Sequence, residues 1–261
     1  KLNAGIVAKI ETPEALENID TIIELSDAVM VARGDLAIEV PTEKVPMYQK
    51  MIIRKCNERG VPVIIATQML ESMIKSPVPT RAEVSDIANA ILDGTDAVML
   101  SEETTLGEFP INAVKIMARV AREIESNYLR LPIFETDAKT ERSIADAVSA
   151  SVVETANTIG AKLIVALTMS GRIARMISRY KPTQPILALT PNEKTFNQLS
   201  LSFGCYPFVT AKFDTADEIM KIVRQHVMKH KLAKRGDKVV IAAGMPFGKM
   251  VGMNMLLVEI I

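Results

Sequence analysis

From Ala4 to Tyr128 the chain repeats one unit four times: a short apolar, β-branched run, then an amphipathic segment at helical spacing. The runs are AGIVAKIE (4–11), DAVMVARGD (27–35), VPVIIATQM (61–69) and TDAVMLSEE (95–103). The segments between and after them are TPEALENIDTIIEL (12–25), TEKVPMYQKMIIRKCNERG (42–60), PTRAEVSDIANAILDG (79–94) and PINAVKIMARVAREIESNY (110–128). Their ends carry helix signals. Thr12 stands before Pro13 as an N-cap, Thr80 and Glu83 have capping-box spacing, and Gly60 and Gly94 act as stops. Strands that are apolar almost throughout, each followed by a helix, predict a parallel sheet covered on both faces.

The stretch LRLPIFETDAK (129–139) breaks this rhythm and reads as a linker. Alternation then resumes. A helix over 141–160 precedes strand AKLIVALT (161–168), a helix from Gly171 to Tyr180, strand PILALT (185–190), a helix over 192–203, strand CYPFV (205–209) and a helix from Ala216 to about Lys231. The closing strands, DKVVIAAG (237–244) and MNMLLVEI (253–260), have no helix between them and are expected to pair antiparallel. The pattern predicts two α/β domains, residues 1–130 and 140–261.

What those domains act on is narrowed by charge. Lys plus Arg and Asp plus Glu both total 31 in 261 residues, so net charge is zero and points to neither nucleic acid nor an anionic membrane. Aromatics make up 4% with no Trp, which leaves no stacking platform for bases. No apolar run reaches the roughly 18 residues that span a bilayer. Cys56 and Cys205 stand far apart without metal-ligand spacing, as reduced packing thiols of a cytoplasmic protein do. No signal peptide is visible, and a start at Lys1 rather than Met leaves the native N-terminus open.

In parallel α/β sheets, ligands bind at the carboxyl ends of the strands. There the first strand presents Lys9 and Glu11, the second Arg33, Gly34 and Asp35, the third Thr67 and Gln68, and the fourth Ser101, Glu102 and Glu103. Lys9 and Glu11, two residues apart, share one strand face. Glu11 and Asp35 are hard oxygen ligands on neighbouring strands, able to share a divalent cation such as Mg²⁺. Lys9 would place fixed positive charge where an enolate or phosphoryl group gathers negative charge. Gly34 allows close backbone approach, and the Thr67 hydroxyl can position a substrate. Each feature also has a plain reading: a structural ion pair, a surface turn, a structural threonine. His226 and His230, four apart on a helix, have metal-ligand spacing without an evident third ligand, and read as a solvated helical face.

The segments AKIET (8–12), VMVARGDL (29–36), EKVPMYQK to VMLSEET (43–104) and AAGMPFG (242–248) together resemble the pyruvate kinase family, over nearly all of the chain. The resemblance implies the second half, strands five to eight, of a (β/α)₈ barrel over 1–130. A C-terminal α/β regulatory and assembly domain with a mostly parallel sheet is implied over 140–261. It implies phosphoryl transfer from phosphoenolpyruvate to ADP, giving pyruvate and ATP. Lys9 matches the lysine that stabilises the transferring phosphoryl group and the enolate. Glu11 and Asp35 match the carboxylates that hold Mg²⁺ or Mn²⁺, Gly34 and Asp35 the turn that receives the substrate carboxylate, and Thr67 the threonine beside the substrate. The resemblance also implies K⁺, bound outside the part matched here, a homotetramer, and a sugar-phosphate effector near Thr168, Ser170, Gly171 and Arg172. That loop lies between a strand and a helix N-terminus; an ordinary strand-to-helix turn reads it equally well.

Two positions depart from the family pattern: GDLA where GDLG is usual, with Ala37, and SEET where SGET is usual, with Glu102. Both adjoin the site without being its ligands, so local adjustment is expected. The closing loop lacks the family's usual threonines. The first four barrel strands and the lid domain have no counterpart in these residues, so the expectation is a fragment that cannot turn over alone. Unpaired sheet edges would then favour self-association. Two other readings stand beside it. One is a metal-dependent lyase or aldolase acting on pyruvate enolate, opposed by ATQMLESM and PTRAEVSD; the other is a non-catalytic module kept for its C-terminal domain.

Overall fold

A computed structural model describes residues 4–128, 143–247 and 251–261. The chain divides into two compact units, Lys1–Ile133 and Phe134–Ile261. The linker expected at 129–139 lies outside the described residues, as does the first turn of the helix expected from 141.

In the first unit, strands β1 (Val7–Ile10), β2 (Ala28–Ala32), β3 (Val63–Ala66) and β4 (Ala97–Val98) form a wholly parallel sheet in the order β1-β2-β3-β4. Every strand therefore lies beside the next one along the chain, as in a barrel wall. The helices between them are α1 (Pro13–Glu17), α2 (Ile19–Leu25), α3 (Arg33–Glu39), α4 (Val45–Arg59) and α5 (Arg81–Leu92); α6 (Glu102–Thr105) and α7 (Pro110–Tyr128) follow β4. Ile23, Val29, Ile52, Ile53, Ile65 and Ile87 meet in one core, each contributing about 1.5–3 kcal/mol by leaving water. The Thr80–Glu83 capping box is formed, and Gly60 closes α4 in the left-handed conformation at φ 67°.

Several boundaries differ from the sequence expectation; the strand expected over 61–69, for one, ends at Ala66, before the positive φ of Thr67 and Gln68. The helix expected over 12–25 breaks at Asn18, whose side-chain amide donates to the Glu14 carbonyl and competes with the helical ladder. The strand expected over 27–35 ends at Ala32, and Arg33, Gly34 and Asp35 open helix α3 instead of a turn. The fourth strand keeps only Ala97 and Val98. Beyond them the Glu103 carboxylate accepts hydrogen bonds from the Ser101 and Leu70 amides and turns the chain away from the sheet.

In the second unit, α8 (Ile144–Thr158) begins at a capping box formed by Ser143 and Asp146. It is followed by β5 (Leu163–Leu167), α9 (Arg172–Ser178), β6 (Ile186–Thr190), α10 (Glu193–Leu199), β7 (Cys205–Val209), α11 (Ala216–Lys229), β8 (Lys238–Ala243) and β9 (Met255–Ile260). The sheet order is β7-β6-β5-β8-β9, parallel except for β9, which pairs antiparallel with β8 as the missing crossover required. Two cores flank it: Val152, Ala156, Ile173 and Ile177 on one face, Ile219, Val223 and Val227 of α11 on the other. The strand order reverses between β5 and β8, a switch point at which doubly wound sheets open a crevice.

Candidate active site

Lys9 stands one residue before the end of β1, paired with Met30. Its ammonium bridges two carboxylates, 2.5 Å from Glu11 Oε2 and 2.7 Å from Asp35 Oδ2. Asp35 reaches this position because β2 ends at Ala32 and α3 winds at once, placing the carboxylate in the first helical turn. The Lys9 hydrogen bond to Asp35, with the Glu11 carboxylate adding to it, raises the Lys9 pKa to about 12. That same bond holds the Asp35 carboxyl below its ordinary range. All three side chains stay between one-third and about one-half exposed, so the pairing adds little stability and the groups stay accessible to a ligand.

One step along the sheet, the Gly34 amide donates to Thr67 Oγ1 at 2.8 Å, and that hydroxyl donates to the Ala66 carbonyl at 2.6 Å. Thr67 has φ +70° and Gln68 φ +55°. A β-branched residue there is strained, by about 1–3 kcal/mol. Thr67→Ala is therefore expected to be less stable than Thr67→Gly by about 1 kcal/mol, the reverse of the ordinary order, because only glycine relieves the positive φ. Parallel urea titrations of the two variants measure the sign. A methyl group on Gly34 would stand 3.5 Å from Thr67 Oγ1, an ordinary contact. The protein's own packing does not require glycine there.

Arg33 is the member of this cluster to which the sequence assigned no role. Nη1 reaches Asp86 Oδ2 at 2.6 Å and Gln49 Oε1 at 3.5 Å. Nη2 donates to the Thr67 carbonyl at 2.8 Å and contacts the Met69 sulfur at 2.9 Å. One nearly buried guanidinium thus ties α3 to α4, α5 and the strained turn after β3. Its partners lie 16 to 53 residues away, with no local spacing to announce them. It borders a cavity of about 490 Å³ with Ala37, Gln49, Lys50, Gln68 and Asp86. At the two departures from the family pattern, Ala37 continues α3, and Glu102 is exposed beside the buried, fully engaged Glu103.

Lys9, Glu11, Asp35, Gly34 and Thr67 are thus gathered at one end of one sheet. The second set lies in the other unit, at the carboxyl end of β5. Thr168 is buried, and its Oγ1 accepts from the Gly171 amide at 2.9 Å. Gly171 caps α9 at φ +81°. Ser170 and Arg172 face a cavity of about 200 Å³ closed by Phe213, Gly244 and Val251. Among the described residues no three His, Cys, Asp or Glu side chains cluster as a metal site, so Glu11 and Asp35 are a two-carboxylate set.

Comparison with known proteins agrees with this geometry. Residues 1–114 match the barrel-domain model of pyruvate kinase, and residues 146–259 match its alpha/beta-domain model. The chain is 44% identical over 261 residues to a pyruvate kinase of Clostridium acetobutylicum, covering 99% of this chain and 55% of that protein. It is 45% identical over 261 residues to one of Geobacillus stearothermophilus, covering 100% of this chain and 44% of that protein. A crystal structure of a pyruvate kinase from Cryptosporidium parvum superposes with a TM-score of 0.88 at 39% identity, covering 98% of this chain and 51% of that one. With both family models matched in order along the chain, the chain belongs to the pyruvate kinase family and spans about half the length of the relatives it matches.

Proposed function

We propose that this chain supplies the metal and phosphoryl side of a pyruvate kinase site, serving transfer of a phosphoryl group from phosphoenolpyruvate to ADP to give pyruvate and ATP. The observation that carries this reading is Lys9 bridging Glu11 and Asp35 at the exits of β1 and β2. The carboxylates already converge on one cation, the ammonium. Glu11 Oε2 is shielded from solvent, with the Lys9 ion pair in place of a hydrogen bond. Such a donor set fits Mg²⁺ or Mn²⁺, which use one or two carboxylates and leave other positions to water and substrate oxygens. When bound, the ion supplies Lewis-acid stabilisation of the enolate and phosphoryl oxygens. Lys9 meets the negative charge that grows on the transferring group. The first turn of α3, at Gly34 and Asp35, receives the substrate carboxylate, and the Thr67 hydroxyl orients it. Positioning and charge do most of the work in such a transfer.

On the same family reading, residues 1–130 are half of a catalytic barrel and 140–261 a regulatory and assembly domain of a cytoplasmic homotetramer that also uses K⁺. A sugar phosphate at Ser170 and Arg172, with Thr168 and Gly171 shaping the loop, is the effector it implies. The support here is the 200 Å³ cavity at the switch point.

The test exchanges this sequence for the matching 261 residues of the Clostridium acetobutylicum relative. The chimera is expected to form ATP from phosphoenolpyruvate and ADP, dependent on Mg²⁺ or Mn²⁺. The 261-residue chain alone is expected to show no turnover above background, since its sheet is open at β1 and β4 and its charged triad lies exposed. A chimera that folds and binds Mn²⁺ without making ATP would overturn the assignment.

A further inference from the structure

The C-terminal unit carries a pair of histidines that the proposed reaction does not use. His226 lies in the last turn of α11 and His230 is its C-cap, and the His230 amide donates to the His226 carbonyl at 3.1 Å. Helical geometry therefore runs through both positions and puts the two rings on one face. The rings lie 5.9 Å apart between centroids, with planes only 22° from parallel. Phe208 of β7 fixes them from beneath, 5.8 Å from His226 and 4.4 Å from His230.

Neither imidazole makes a hydrogen bond to a described residue, and His226 Nδ1 is buried without a partner. His230 is exposed, so the pair opens to solvent. Two imidazoles four residues apart on a helix are a recurrent transition-metal ligand pair.

We propose that His226 and His230 form a two-imidazole clamp for a borderline divalent transition metal, with water completing the coordination. Nitrogen donors select Cu²⁺, Ni²⁺ or Zn²⁺, with Cu²⁺ tightest, and reject Mg²⁺, which demands hard oxygen. With only two protein ligands the affinity is modest and the metal exchanges readily. The site is separate in chemistry from the carboxylate pair at Glu11 and Asp35.

The experiment titrates the tag-free chain with Cu²⁺ and reads both calorimetry and electron paramagnetic resonance. The expected result is one equivalent bound at these residues, with hyperfine structure from two imidazole nitrogens. His226→Gln and His230→Gln are each expected to weaken binding by roughly tenfold or more and to leave a single nitrogen. His230 is the more exposed of the two, so His230→Gln reports even where His226→Gln disturbs folding. Unchanged Cu²⁺ affinity in His230→Gln, or a wild-type spectrum with one imidazole nitrogen, overturns the clamp. So does Mg²⁺ displacing Cu²⁺ at equal concentration.

Discussion

Lys9→Met in the chimera is expected to lower kcat by roughly 10²–10³, while Mn²⁺ binds more tightly than in the unsubstituted protein. The two effects have one origin. In the ligand-free site the ammonium neutralises Glu11 and Asp35 at 2.5 and 2.7 Å, and so competes with a divalent cation for the same carboxylates. Methionine removes the competitor and leaves two carboxylates facing each other without a counter-charge. On the proposed reading it also removes the positive charge that meets the developing enolate and phosphoryl oxygens. Rate and metal affinity therefore move in opposite directions. Pyruvate formation gives the first quantity, and the resonance of free Mn²⁺ gives the second. A variant that lost both together would make Lys9 a packing residue, and one that kept its rate would remove it from the chemistry. Stability separates the cases further. The folded pKa of Lys9, about 12, exceeds its unfolded value of 10.5. Its contribution is therefore present in full below pH 10.5 and is lost as pH rises through about 12. At neutral pH the wild-type ammonium is always charged, so any change of kcat with pH there belongs to another group.

The strand-exit residues were legible because their signal is local. Lys9 and Glu11 are two apart on one strand, and the strand period alone puts them on one face. Gly60, Thr80 and Glu83 are equally local, and they did mark the ends of α4 and α5. What failed to show was decided by contacts between distant residues. Nothing near Ser101 states that Glu103 will bond the amide of Leu70 and end the fourth strand. Nothing near Arg33 states that its partners are Asp86, Gln49 and the Thr67 carbonyl. The positive φ of Thr67 and Gln68 was hidden for a related reason. Threonine is a residue of strands by intrinsic preference, and only the surrounding hydrogen bonds hold it where glycine would be at ease. Local propensity was overridden at the candidate site, which is where such failures are expected.

That hidden network predicts the largest loss of stability. Arg33→Met is expected to cost about 3 kcal/mol in the unfolding of the first unit, within the range for removing one partner of a buried ion pair. The figure sits at the lower end of that range because Asp86 keeps 36% of its side-chain exposure and can recover water. The remainder comes from the Thr67 carbonyl, which loses its 2.8 Å donor. Arg33→Lys should recover less than half of this, since one ammonium cannot serve Asp86, Gln49 and the carbonyl as the planar fork does. The more searching measurement is a double-mutant cycle with Thr67→Gly. If Arg33 works by holding Thr67 in its strained turn, its loss matters less once glycine occupies position 67 at no conformational cost. The two substitutions should then couple by about 1 kcal/mol, with the double variant more stable than the sum of the single losses. Additivity within about 0.3–0.5 kcal/mol would instead mean that Arg33 fastens α3 to α5 and leaves the turn to the Gly34 amide alone. The cycle thus reports whether the strain at Thr67 is carried by the guanidinium behind it or by the backbone in front.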